Sequence, residues 1–256
     1  MLGRVSLAFT FDPPPAEVLS GVRVPLICTL ERRLALMKAA GAERVEVLRF
    51  DRALAGTSAE AFVERLKGLG VRKLILGYDS RFGKGRRGDA ALARSLGLEA
   101  ETVDPVPVGG RPAASRRIRE AIRAGDLADA KACLGRDWAL EGKVVKGDGR
   151  GRQLGFPTAN LETGPLILPK GGVYAGRCSV DGKTYSAAVN VGTRPTVDGS
   201  RLVAEAHLAG FWGDLYGRTL SVDLVGRIRD EQAFASVEEL KGQIERDLKG
   251  LPSARD

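Results

Sequence analysis

The chain has 256 residues, with 40 Lys+Arg against 32 Asp+Glu for a net charge of +8, and 43% of its residues are hydrophobic. That composition fits a globular protein of one large or two ordinary domains, able to bury a core. It contains a single histidine, His207, which excludes H-E-x-x-H zinc sites, multi-histidine metal centres and nucleotidyl transfer through paired histidines.

The first half alternates strand-like and helix-like stretches. Val5 to Phe11 is short and apolar, and Asp12-Pro13-Pro14-Pro15 stops it. Leu30 to Ala40 has helical spacing and a Gly41 stop. Arg44 to Phe50 reads as a strand, and Thr57 or Ser58 caps a helix running to Lys67. Lys73 to Leu76 is a buried strand ending at Gly77. Asp89 to Leu96 is helical, Ala100 to Val103 is a short strand, and Ser115 to Ala124 is helical up to Gly125. Such alternation predicts a parallel sheet with crossover helices. The second half differs, with many short strands separated by Gly, Asp and Asn turns. Val144-Val145, Val173 to Val180, Thr184 to Val191, Leu202 to Leu208 and Thr219 to Ile228 are the strand candidates, and Asp181-Gly182 signals a hairpin. A final amphipathic helix runs from about Ser236 to Leu248. This pattern predicts a small antiparallel barrel with one closing helix. The expected boundary lies near Gly125-Asp126, giving domains 1–124 and 125–256.

Cys28, Cys133 and Cys178 are far apart and form no C-x-x-C, which reads as reduced thiols. No apolar run approaches the ~20 residues of a membrane span. The N-terminal residues lack the apolar core and cleavage site of a signal peptide. Together these features predict a cytoplasmic protein with no membrane partner. The charge is uneven. Residues 1–124 carry 22 Lys+Arg and 14 Asp+Glu, a net of +8, whereas residues 125–256 carry 18 of each. A basic half can attract nucleotides or nucleic acid. Arginine scattered over solvated faces is the plainer reading, and the lack of interleaved aromatic residues argues against a nucleic-acid partner.

Three glycine-rich stretches invite phosphate readings. Gly77 to Lys84 is no P-loop, because its glycines are one residue too far apart and Gly85 replaces the magnesium-binding Ser/Thr. Gly147-Asp148-Gly149-Arg150-Gly151-Arg152-Gln153-Leu154-Gly155 does not fit G-x-G-x-x-G and does not sit between a strand and a helix. It reads either as a flexible flap whose backbone N–H groups meet a phosphate chain or as a surface hairpin. In Gly155-Phe156-Pro157-Thr158-Ala159-Asn160, Thr158 and Asn160 point to one side of an extended segment. That pair can hold a magnesium ion and phosphate oxygens without a carboxylate; a plain turn is the other reading.

Residues 125–256 closely resemble the riboflavin kinase module of the prokaryotic bifunctional riboflavin kinase/FMN adenylyltransferase family. The matching stretches run in order: Gly142 to Arg152, Leu154 to Asn160, Leu168 to Ala175, Asn190 to Thr196, Glu205-Ala206-His207-Leu208, Asp214 to Gly217, and Ile228 to Glu231. The resemblance implies a six-stranded barrel that phosphorylates the ribityl 5′-hydroxyl of riboflavin with Mg-ATP, with no permanently bound organic cofactor. It implies that Thr158 and Asn160 bind Mg²⁺ and ATP phosphates, and that Glu205 is the general base. It further implies that the flap, with Gly149, Gly151, Arg152 and Gly155, closes over the nucleotide. Asn190, Gly192, Thr193, Arg194, Pro195 and Thr196 would lie near the flavin, and the C-terminal helix would border the isoalloxazine. His207 shares a strand face with Glu205 and reads as structural support. The expected partners are riboflavin, FMN, ATP and ADP; nothing in the sequence speaks to an oligomeric state.

Residues 1–124 are similar to the adenylyltransferase module of the same family at Thr10-Phe11-Asp12-Pro13, Thr29-Leu30-Glu31 and Gly77 to Asp89. The resemblance implies an α/β, Rossmann-like nucleotidyltransferase module, here expected without its first strand and helix. The family's Gly-x-Phe-Asp-Gly turn and His-x-Gly-His pair have no counterpart in these residues. Pro14 stands where the family usually has His, and Tyr78 and Ser80 stand for Glu and Phe. Ala114-Ser115-Arg116-Arg117-Ile118-Arg119 replaces Ser-Ser-Thr-x-x-Arg. A start placed too late would explain the missing histidines but not these internal changes, so degeneration is the favoured explanation. Losing the first strand of a parallel sheet would also leave apolar helix surface uncovered. The sequence therefore predicts a riboflavin kinase that makes no FAD. The alternatives are the full bifunctional enzyme, or a flavin-binding regulatory protein whose basic half meets nucleic acid or a partner.

Overall fold

The computed structural model describes residues 5–147, 149–196 and 199–254, with the backbone alone at Arg150, Pro195, Thr196, Gly199, Ser200 and Arg201. The chain divides into two compact units, Met1–Val24 with Leu30–Pro112, and Pro25–Thr29 with Ala113–Asp256.

The first unit alternates strands and helices. In chain order these are β1 (Leu7–Asp12), α1 (Pro15–Ser20), α2 (Leu30–Ala39), β2 (Arg44–Arg49), α3 (Arg52–Gly56), α4 (Ala59–Gly68), β3 (Lys73–Gly77), α5 (Ala90–Ser95), β4 (Glu99–Val103), β5 (Pro107–Val108) and β6 (Arg111–Pro112). Local chemistry sets the helix starts. Asp51, Ser58 and Asp89 each accept the backbone N–H three residues on, satisfying a donor the helix leaves open. Among the described residues the parallel strands form two separate pairs, β1–β2 and β3–β4, rather than the single sheet expected. The alternation fixes strand direction, but no hydrogen-bonded partner joins β1 to β3. Val63, Leu66, Ala93 and Leu98 make the core, with Phe9, Phe62, Leu74 and Phe82 against it. Ile75 and Val103 leave apolar surface uncovered on β3 and β4, so β3 is not the buried strand expected.

The second unit contains α6 (Ser115–Ala124), α7 (Leu127–Leu134), β7 (Trp138–Val145), α8 (Arg150–Gln153), β8 (Ala159–Glu162), β9 (Gly172–Val180), β10 (Lys183–Thr196), β11 (Gly199–Leu208), β12 (Thr219–Arg229) and α9 (Val237–Lys249). The six strands close into an antiparallel barrel in the order β10-β11-β8-β7-β12-β9. Closure pairs every strand on both sides, leaving no sheet edge. The β9–β10 hairpin turns at Asp181 and Gly182, both with positive φ, the two-residue geometry that suits the strand twist. Trp138, Leu140, Val189, Val191, Val222 and Leu224 fill the barrel. Ile118, Ala121, Ile122, Leu127 and Ala130 bring α6 and α7 onto the same core. The indole N–H of Trp138 is fully buried and donates to the Ile27 carbonyl at 2.7 Å.

Helix α9 begins where Ser236 accepts the Glu239 N–H at 3.1 Å, and the Glu239 carboxylate accepts the Ala235 N–H in return. Its far end is pinned to β12. Asp247, 5% exposed, accepts two bonds from the Arg229 guanidinium and one from Gln243.

Candidate functional site

The barrel register assembles the site. Asn160 on β8 lies directly opposite Glu205 on β11, and Glu205 lies opposite Asn190 on β10. Directly opposed residues share a face of the sheet. Their strand neighbours Ala159, Leu161, Ala204, Ala206, Val189 and Val191 are buried inside the barrel. Alternation therefore turns Asn160, Glu205 and Asn190 outward in one row across three strands. Thr158, two residues before Asn160, joins them, and its hydroxyl donates to Glu205 Oε2 at 3.2 Å. Arg194, on the Asn190 face of β10, reaches back with Nη2 to Asn160 Oδ1 at 3.4 Å and Glu205 Oε1 at 3.3 Å. A cavity of about 280 Å³ opens over this group, and its lining adds Gly149, Gly192, Thr193 and Glu231.

The glycine-rich stretch before β8 follows β7 and carries one helical turn, α8, where the sequence reads as a flap or hairpin with no adjoining helix. Its glycines make room for the site. A Cβ on Gly147 would lie 2.2 Å from Asn160 Nδ2, and one on Gly151 would lie 2.5 Å from the Phe156 carbonyl and 3.1 Å from the Thr158 hydroxyl. Gly149 and Gly155 have φ of +70° and +89°, a backbone region other residues rarely adopt. Asp148 lies outside the described residues. His207 is on the Glu205 face, with Nδ1 2.8 Å from the Pro157 carbonyl and its ring against Phe156. It braces the segment that carries Thr158.

The structure thus gathers Gly149, Thr158, Asn160, Asn190, Gly192, Thr193, Arg194 and Glu205 around one cavity, with Gly151 against Thr158. Arg152 and Gly155 are exposed and do not line the cavity. The side chains of Pro195 and Thr196 lie outside the described residues. The sequence pattern gives Glu231 no role, although a stretch matching the family ends there. Its place depends on two glycines far away in the chain. A Cβ on Gly171 would meet Glu231 Oε2 at 2.8 Å, and one on Gly192 would meet Oε1 at 2.6 Å.

A second cleft, of about 530 Å³, lies between Gln232–Phe234 and α9, lined there by Glu238, Glu239, Gly242, Gln243 and Arg246. Before it in the chain, Arg227 donates to the Gly171 carbonyl at 2.8 Å and pairs with Asp230. Hydrogen bonds from Arg227 and Lys170 hold the Asp230 carboxyl below the usual carboxylate range.

No cluster of three or more His, Cys, Asp or Glu among the described residues could hold a metal. A hydroxyl, a carboxamide oxygen and one carboxylate do fit a cation that keeps several waters and shares phosphate oxygens, as Mg²⁺ does.

Two family models match the chain, one described as riboflavin kinase over residues 134–253 and one as FAD synthetase over residues 2–117. A bifunctional riboflavin kinase/FMN adenylyltransferase from Escherichia coli K12 is 39% identical over 249 residues, covering 94% of this chain and 80% of its own. The protein of the same description from Pseudomonas fluorescens is 37% identical, covering 96% and 82%. A crystal structure from Streptococcus pneumoniae, described as a macrolide-efflux protein, has a TM-score of 0.85 at 30% identity, covering 95% of this chain and 82% of that one. Among the described residues here, no helix is long and apolar enough to cross a membrane. The fold and site define a flavokinase-type barrel together with an α/β nucleotidyltransferase-type module. The chain belongs to the bifunctional riboflavin kinase/FMN adenylyltransferase family.

Proposed function

We propose that the chain is a riboflavin kinase, moving the γ-phosphate of ATP to the ribityl 5′-hydroxyl of riboflavin to give ADP and FMN. The meeting of Thr158, Asn160 and Glu205 on one outward face of the barrel, beside a cavity, carries this reading. In it residues 125–256 are the kinase module and residues 1–124 the adenylyltransferase-like one, except that Pro25–Thr29 and α6 pack with the barrel unit. Thr158 and Asn160 hold Mg²⁺ and phosphate oxygens. A bound Mg²⁺ supplies charge neutralisation for the phosphates. Glu205 takes the hydroxyl proton or orients the nucleophile, and its reach is set by the Thr158 and Arg194 contacts. The Gly149–Gly155 stretch lies toward the nucleotide, and Asn190 to Thr196 toward the flavin, whose ring takes the α9 cleft. Glu205→Gln and Asn160→Ala should each cut turnover by roughly 10²–10⁴-fold with the melting temperature retained. FMN production at the parental rate by either variant refutes the assignment.

A second reading adds FAD synthesis. The FAD synthetase match over residues 2–117 and the 39% identity to a bifunctional enzyme favour it. Against it, the single histidine of these 256 residues lies in the barrel, at hydrogen-bond distance from Pro157. A paired-histidine nucleotidyl-transfer site cannot be built from the residues given. The expectation is no FAD from FMN, ATP and Mg²⁺, and an FAD peak by chromatography overturns it.

A further inference from the structure

Glu231 is the second carboxylate of the Glu205 cavity, and the proposed reaction has not used it. It sits in a seat made by two glycines, Gly171 just before β9 and Gly192 on β10. Gly171 and Gly192 both lack the Cβ that would strike its oxygens, at 2.8 Å and 2.6 Å. Neighbouring bonds fix the Gly171 side of that seat. Its carbonyl accepts from Arg227, and the preceding Lys170 carbonyl accepts from the Tyr174 hydroxyl. Across Gly192 lies the Asn190 carboxamide, whose nitrogen is 3.3 Å from the same Cβ position. Glu231 itself has no hydrogen bond or ion pair within the described residues, so both oxygens are available as acceptors.

Its place between the two cavities narrows what it can accept. Glu231 lines the cavity that holds Glu205, and Gln232, the next residue, lines the α9 cleft. A ligand that puts a reacting hydroxyl at Glu205 and a flat ring in the α9 cleft must run its connecting chain past Glu231. In riboflavin that chain is a polyol. A carboxylate there repels a triphosphate, but it takes charge-assisted hydrogen bonds from neighbouring hydroxyls. Resting on the kinase reading, we infer that Glu231 is a specificity-determining residue that binds the secondary hydroxyls of the ribityl chain.

The test compares riboflavin with lumiflavin, which has the same ring and no polyol. Binding of each to the full chain is read by fluorescence quenching, alongside KM for ATP and FMN output. Glu231→Ala should weaken riboflavin about tenfold or more, the loss expected for hydrogen bonds to a charged group. Glu231→Gln, which keeps the shape and loses the charge, should recover part of the loss. Lumiflavin affinity, KM for ATP and the melting temperature should stay at parental values. Unchanged riboflavin affinity overturns the inference. So does equal weakening of both flavins, which would make Glu231 a support for the Gly171 and Gly192 backbone alone. A parent chain that makes FMN while its Glu231 variants bind riboflavin normally refutes only this inference. A parent that neither binds riboflavin nor makes FMN brings down the kinase reading with it.

Discussion

Gly147→Ala places one methyl group against the proposed phosphate site without touching its chemistry. The position is exposed, and its backbone lies outside the positive-φ region, so alanine meets no intrinsic strain there. The new Cβ would instead lie 2.2, 2.4 and 2.5 Å from the nitrogen, carbon and oxygen of the Asn160 carboxamide. Ordinary van der Waals contact begins at 3.4 Å, so the carboxamide must withdraw by about 1.2 Å. A misplacement near 1 Å costs up to about 10²-fold in rate where positioning does most of the catalytic work. The expected result is an approximately 100-fold fall in kcat/KM for Mg-ATP, read as FMN formed with time. The melting temperature should be nearly unchanged, because no buried apolar group moves. The double variant with Asn160→Ala gives the sharper reading: if the methyl acts only through Asn160, it adds nothing in that background. Full activity in Gly147→Ala, or losses that add in the double variant, would refute the reasoning.

Three further outcomes follow from stability and thiol chemistry. Ala114 sits at the N-cap of α6 in extended backbone and supplies no cap bond, so Ala114→Ser should add about 1 kcal/mol and raise the melting temperature by roughly 2–4 °C; no rise counts against the cap geometry. Asp247→Ala strands the Arg229 guanidinium, 16% exposed, and should cost about 3 kcal/mol in a melting experiment; a variant as stable as the parent would show that water already screens the pair. Burial pushes the Cys178 thiol up from 9.0 to about 11, so iodoacetamide at pH 8 should label half-buried Cys28 and Cys133 before Cys178. The raised value stabilises the fold fully below about pH 9 and loses that contribution as pH climbs toward about 11. Equal labelling of all three cysteines contradicts it.

What could be read from the sequence was local. The Asp181-Gly182 turn, the Ser236 cap and the side shared by Thr158 and Asn160 each depend on a few adjacent residues and a fixed period. The barrel could be anticipated as a class, but not the order β10-β11-β8-β7-β12-β9, because the chain pattern does not encode which strands pair. The same limit applies to β1–β2 and β3–β4, whose alternation with helices suggests one sheet while the pairing leaves two. Arg194 lies in a matched stretch, yet its hold on Asn160 and Glu205 exists only once β8, β10 and β11 are neighbours. Gly147 and Glu231 were opaque for the same reason. One leaves a space and the other fills one, and the residue across that space is distant in sequence.

The row Asn160, Glu205 and Asn190 has a bearing on how activity should respond to denaturant. Its members come from β8, β11 and β10, which are consecutive in the barrel although β9 and β10 lie between β8 and β11 in the chain. The site therefore needs the long-range β8–β11 pairing as well as the local β10–β11 pairing. Phosphoryl transfer should disappear in the same cooperative transition as the barrel's circular dichroism, with a coincident midpoint. The proposed activity is then a gauge of the β8–β11 pairing.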